Sequence, residues 1–121
     1  MIEWSDMAYN KELTDKIRRK LAHIARVEEK RMFRGMTFMV DDKMCISVGD
    51  DRIMCRIDPA IHDEVIKKEG CSTVEMRGRP YKGFVYVNPQ GMKTERDLDY
   101  WISLALEFNK KAKAAPKRKK K

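Results

Sequence analysis

The stretch that decides the fold is Met36-Thr37-Phe38-Met39-Val40-Asp41-Asp42-Lys43-Met44-Cys45-Ile46-Ser47-Val48-Gly49-Asp50-Asp51-Arg52-Ile53-Met54-Cys55-Arg56-Ile57. Three short runs alternate with a period of two. Met36, Phe38 and Val40 alternate with Thr37 and Met39, Met44, Ile46 and Val48 with Cys45 and Ser47, and Ile53, Cys55 and Ile57 with Met54 and Arg56. Successive strand side chains point to opposite faces, so each run reads as a strand with one apolar face. Asp41-Asp42-Lys43 and Gly49-Asp50-Asp51-Arg52 are turn-forming clusters. A three-residue first loop pairs Val40 with Met44, and a four-residue second loop pairs Val48 with Ile53. Every apolar residue then shares one side. In that register Cys55 points into the core and Cys45 to the opposite face, which excludes a disulfide between them.

Outward from the meander, Leu13, Ile17, Leu21 and Ile24 recur at helical spacing behind a capping Asn10, which predicts a helix over Lys11 to Arg26. Its other face carries Lys16, Arg18, Arg19 and Lys20, either a solvated face or a surface turned to an anion. An extra short strand fits Val27 to Met32. Asp58-Pro59 starts a short helix whose stripe is Ile61, Val65 and Ile66, stopped at Gly70. Strands follow near Ser72 to Arg77 and Gly83 to Asn88. Phe84-Val85-Tyr86-Val87 is apolar without alternation, the pattern of a strand covered on both faces. Thr94 and Asp97 have capping-box spacing before a last helix with inner face Leu98, Trp101, Ile102, Ala105 and Phe108. Trp101 and Phe84 are expected to anchor the core. The order α-β-β-β-α-β-β-α with hairpin-length connections describes an α+β two-layer sandwich, a mainly antiparallel sheet covered by helices.

The chain has 121 residues, enough for one domain that buries roughly 65% of its unfolded surface. We divide it into an N-terminal extension (1–9), a domain (10–109) and a basic tail (110–121). The net charge of +8 is confined to the tail, because residues 1 to 109 hold nineteen cations against nineteen acids. The ending Lys117-Arg118-Lys119-Lys120-Lys121 is expected to be disordered. It can neutralise nucleic-acid phosphates without sequence preference, contact acidic partners, or serve solubility alone. No apolar run approaches the roughly 20 residues of a membrane span, and no signal peptide is recognisable. No membrane partner is expected, and a cytoplasmic location is.

Cys45, Cys55 and Cys71 are odd in number and form no C-x-x-C pair, so they read as reduced, buried thiols. His23 and His62 lie in expected helices without a His or Cys at i+3 or i+4, so no metal is expected. Phosphate-loop, dinucleotide and nucleophile-elbow motifs are absent from the sequence. With no nucleophile beside a base, no catalytic residue, no enzyme activity and no cofactor is expected.

Two blocks remain, Arg31-Met32-Phe33-Arg34-Gly35-Met36-Thr37-Phe38-Met39-Val40 and Gly78-Arg79-Pro80-Tyr81-Lys82-Gly83-Phe84-Val85-Tyr86-Val87. In each, glycine and arginine punctuate the start of a β-rich run. Together with Met7-Ala8-Tyr9, Met44-Cys45, Arg56-Ile57-x-Pro59 and Asp97-Leu98-x-x-Trp101-Ile102, they resemble the N-terminal domain of the TfoX family of DNA-competence regulators. The resemblance runs from Met7 to Phe108. It implies a secretion-chaperone-like architecture. In full-length members a second, helical domain follows, and the protein co-regulates competence genes alongside the cyclic AMP receptor protein; here a stand-alone single-domain form is expected. The resemblance thus implies a non-enzymatic regulatory or protein-interaction domain with a protein partner, and leaves a homodimer open. Arg31, Arg34, Gly35, Arg56, Gly78, Arg79, Lys82 and Gly83 are its candidate anion or partner-binding residues, since guanidinium beside open backbone suits phosphate or carboxylate. The competing reading is structural, with Gly35 and Gly78 allowing φ > 0 at turns, Pro80 stiffening a loop, and the arginines bonding carbonyls or pairing with Glu28, Glu29 and Glu75. The alternative function is a nucleic-acid-associated protein that binds through the tail and the Arg/Lys-Gly loops. The nine methionines raise an adaptable interaction surface, although Met36 and Met44 fit the core stripe.

Overall fold

The computed structural model describes residues 9–33 and 35–112. The elements are α1 (Lys11–Lys20), β1 (Val27–Met32), β2 (Gly35–Val40), β3 (Lys43–Val48), β4 (Ile53–Arg56), a 3-10 turn (Pro59–Ile61), α2 (His62–Val65), β5 (Cys71–Met76), β6 (Arg79–Val87), a second 3-10 turn (Pro89–Gly91) and α3 (Glu95–Asn109). The strands form one antiparallel sheet in the order β1-β2-β3-β4-β6-β5. The extra strand at Val27–Met32 is present and forms one edge.

Helix α1 starts where expected, with the Asn10 side chain accepting from the Leu13 amide at 2.9 Å. It ends at Lys20 rather than Arg26. The chain must turn back so that β1 can run beside β2, and Arg26 is already held there, its carbonyl accepting from the Asp41 amide at 3.0 Å. Helix α3 carries the full capping box: Asp97 N–H donates to the Thr94 hydroxyl at 3.0 Å, and Thr94 N–H donates to the Asp97 carboxylate at 3.2 Å. Its buried face is Leu98, Trp101, Ile102, Ala105 and Asn109, with Phe108 only partly buried. The Trp101 indole N–H donates to the Gly91 carbonyl at 2.9 Å.

The first hairpin departs from the expected register. Val40 faces Lys43, so the loop is Asp41-Asp42 alone, with φ of 52° and 64°. Aspartate tolerates the left-handed region because its short polar side chain bonds locally, and two such residues close the tightest hairpin. Met39 then faces Met44 while Phe38 faces Ile46, which leaves Cys45 as the extra residue of a bulge. The bulge restores parity, and Val48 faces Ile53 as predicted. In between, two side chains are inverted. Cys45 joins Ile46, Val48 and Cys55 under the helices, correcting its expected place on the opposite face, and Met44 turns away from them. The described cysteines are nevertheless free.

The sheet is therefore apolar on both sides. Between the helices and the sheet, Ile17, Leu21 and Trp101 from the helical layer pack with Phe38, Ile46, Ile53, Val85, Val87 and their neighbours. Met44, Met54 and Val74 form a second buried cluster with Met39, Met76, Phe84 and Tyr86 packed on it, and every one of these is a strand residue. This explains the unbroken Phe84-Val85-Tyr86-Val87 run and corrects the expectation that Phe84 anchors the same core as Trp101: Phe84 belongs to the helix-free side, and Phe38 is the fully buried ring under the helices.

Strand β6 begins at Arg79, not Gly83, because Arg77-Gly78 is itself a two-residue turn with φ of 53° and 77°. Gly78 to Lys82 is thus turn and strand, not a stiffened loop. The expected helix after Asp58 is reduced to a 3-10 turn and one turn of α2; Ile61, read as stripe, is exposed at 36%, and His62 occupies the buried position at 2%. No helix among the described residues is long and apolar enough to cross a membrane.

Candidate interaction face

Arg31 and Gly35 lie on the β1–β2 hairpin, whereas Gly78, Arg79, Lys82 and Gly83 belong to β6 and the turn before it. Three strands separate β1 from β6, about 19 Å at the usual interstrand spacing. The two Gly/Arg blocks therefore do not converge on one anion. Arg31 sits 5.5 Å from the Tyr9 ring centroid and Arg56 lies 5.6 Å from both the Phe84 and Phe108 rings. Lys82 pairs with Asp63 at 3.5 Å. Arg34 and Lys117 to Lys121 fall outside the described residues.

The glycines have separate structural tasks. Gly35 has no positive φ; instead a Cβ there would overlap the Val48 carbonyl of β3. Gly78 shapes its turn in open space. Gly83, at φ 95°, lies in a bulge of β6, where Thr73 faces Val85 but Val74 faces Tyr81.

That bulge is held by a residue whose role has no local signal in the sequence. The Gly83 amide donates to His62 Nδ1 at 2.9 Å, so the imidazole proton is on Nε2, which donates to the Thr73 hydroxyl at 2.8 Å. Both ring nitrogens are used inside the fold. Burial holds the His62 pKa below its ordinary value, Asp63 opposing that shift and Lys82 adding to it.

The thiols are equally committed to packing. Burial pushes the Cys45 thiol up to about 12 and Cys71 up to about 11, and Cys55 is likewise raised well above its ordinary value. Protonated thiols are poor nucleophiles and poor metal ligands. Among the described residues no group of three or more His, Cys, Asp or Glu is placed to hold a metal ion.

Three of the α1 cations, Lys16, Arg18 and Lys20, are paired with acids. Lys16 and Lys20 each reach Glu95 at 2.9 Å, Lys20 also reaches Asp99 at 2.7 Å, and Arg18 grips Glu29 of β1 at 2.6 and 2.7 Å. Glu29 is thereby an anchored charge of β1. Hydrogen bonds from Lys16 and Lys20 hold the Glu95 carboxyl down at about 2. A cleft of about 580 Å³ lies between α1 and the start of α3, and the paired Lys16 and Glu95 line it together with Arg19 and Lys93.

What stands apart is the helix-free side of the sheet. Met39, Met44, Met54 and Met76 meet there with Val74, Phe84 and Tyr86. Met44, Met54 and Val74 are buried within it, while Met39, Met76, Phe84 and Tyr86 are half-buried and form its outer layer; methionine is flexible and polarisable, so such a layer can repack around differently shaped apolar groups. Its aromatic part carries positive charge: the Arg52 guanidinium lies 3.4 Å from the Tyr86 centroid, and Arg56 lies over Phe84. Tyr81, exposed at 41%, packs edge-on against Phe84. Arg52 was hidden in the sequence as a turn residue, and Met44 as a core residue.

The TfoX N-terminal domain family model matches residues 19–109. Comparison with curated proteins and with solved structures gave no match. The family match spans most of the chain, and the chain belongs to the TfoX N-terminal domain family.

Proposed function

We propose that this TfoX N-terminal domain is a cytoplasmic, non-enzymatic regulatory module that docks a protein partner on the helix-free side of its sheet. The observation that carries the reading is the cluster of Met39, Met44, Met54 and Met76 with Phe84 and Tyr86 on a side to which the described residues contribute no helix. The groups that catalysis would draw on are committed elsewhere: the thiols are held protonated, and His62 uses both nitrogens in the fold.

The chemistry of the face defines its partner. Guanidinium groups at Tyr86 and Phe84 border an apolar centre, so a complementary segment combines large apolar anchors with acidic flanks. The same charge argument disfavours a basic partner.

A displayed random-peptide selection against the immobilised chain tests this. Enriched peptides are expected to pair Leu, Phe or Trp with Asp or Glu, and to lose binding to Met76→Lys and Arg52→Glu. Basic peptides, no enrichment, or binding that survives both substitutions would contradict the reading.

A further inference from the structure

We propose that the edge strand β1 pairs with itself, joining two copies of this chain through one continuous sheet. β1 lies at the end of the strand order, with β2 on one side and no strand on the other among the described residues. Its sequence is Val27-Glu28-Glu29-Lys30-Arg31-Met32, exposed from Glu28 onward.

Charged residues on an edge strand normally guard against pairing with other chains. Here their order makes the strand complementary to itself. A two-fold axis normal to the sheet brings two copies of β1 together antiparallel and keeps the helices of both copies on one side. Facing residues must then share a side of the sheet, which restricts the pairing to registers centred on a residue. Centring on Lys30 sets the two Lys30 side chains against each other, and the Glu29 it brings opposite Arg31 is already held by Arg18. Centring on Glu29 sets Glu28 against Lys30 of the second copy, and does so twice by symmetry.

The Glu29 register suits the charges already in place. Glu28 and Lys30 face the helix-free side, opposite Met39 and Thr37 of β2, and among the described residues neither has an ion-pair partner. Directly opposed, opposite charges stabilise a strand pair, whereas like charges destabilise it. Glu29 would face its own copy on the helix side, where each Glu29 is already gripped by Arg18. That bond lowers the pKa of the Glu29 carboxyl, so the two copies present neutralised pairs instead of bare carboxylates.

Such a dimer sets two methionine-aromatic faces side by side on the same surface of a twelve-stranded sheet. A six-residue strand pair lies at the small, transient end of interface sizes, so the dimer forms in a concentration-dependent way.

Sedimentation equilibrium over a wide concentration range tests this with the full chain. The wild type is expected to dimerise reversibly. Lys30→Glu is expected to raise the dimer dissociation constant about tenfold or more, with an unchanged melting temperature because the residue is exposed. The exchange Glu28→Lys with Lys30→Glu is expected to restore wild-type association. A wild type that stays monomeric at the highest concentration would overturn the proposal, as would a dimer indifferent to Lys30→Glu or not recovered by the exchange. Partner docking on a single copy would be unaffected by any of these results.

Discussion

The backbone amide of Gly83 donates to Nδ1 of His62 at 2.9 Å, tying the bulge of β6 to the short helix α2 across 21 residues of sequence. Protonating His62 would destroy that acceptor. Because burial depresses the folded pKa below the ordinary 6.5, the unfolded chain binds the proton first. The histidine's contribution is thus fully present above 6.5 and is lost as pH falls from there through the folded value. The melting temperature of the wild type is expected to decline in that window relative to His62→Gln, which lacks the titration. At neutral pH, His62→Ala leaves the Gly83 amide without its acceptor and is expected to cost about 1 to 3 kcal/mol in denaturant unfolding.

Phe38 and Phe84 separate the two sides of the sheet energetically. Phe38 is wholly buried under the helices, while Phe84 is only partly buried on the other side. Phe38→Ala and Trp101→Ala are each expected to cost about 3 to 5 kcal/mol. Phe84→Ala should cost clearly less, because the site is open enough to collapse or fill with water. Equal losses in urea titration would show that the helix-free side is as enclosed as the core.

The three cysteines should behave as packing residues. With burial pushing the thiol pKa up to about 12 at Cys45 and about 11 at Cys71, and raising Cys55 well above its ordinary value, almost no thiolate exists at neutral pH. A thiol reagent is expected to label the native protein slowly, with half-buried Cys71 first, and to label all three on unfolding. A rapidly labelled native cysteine, or a protected pair in the unfolded chain, would contradict this.

Duplex DNA binding, where it occurs, is expected to reside in the last residues. The folded basic blocks are split between β1 and β6, whereas Lys117 to Lys121 are five consecutive cations. About five phosphate contacts give a logarithmic salt slope of about −4 to −5. Deleting residues 116–121 is expected to bring it towards zero, without sequence preference in either form. A truncated chain that keeps a steep slope and loses it in Arg79→Ala or Lys82→Ala would instead locate an anion site on β6.

The meander was legible because alternation survives in Phe38 to Val40 and in Ile46 to Val48, and the Val48–Ile53 pairing follows from loop length alone. The expected and observed registers part at Asp41-Asp42. Two left-handed aspartates shorten the loop by one residue and the bulge at Cys45 returns it, so parity is wrong only between them. That local inversion hid the second apolar side, since Met44 then counted as core. Gly78-Arg79-Pro80-Tyr81-Lys82 has the composition of a loop, and only its pairing with β5 makes it strand. His62 was unreadable because its partners, Thr73 and Gly83, are distant in sequence.

Partner docking on the methionine side is tested most directly by methyl NMR of methionine-labelled protein, titrated with an acidic, apolar-anchored peptide. Met39, Met44, Met54 and Met76 lie on the docking side, whereas Met92 packs against the helix-covered core and serves as an internal reference. The prediction is that the first four methyl resonances shift together and saturate while Met92 stays in place. Shifts confined to Met92, or none at saturating peptide, would contradict it.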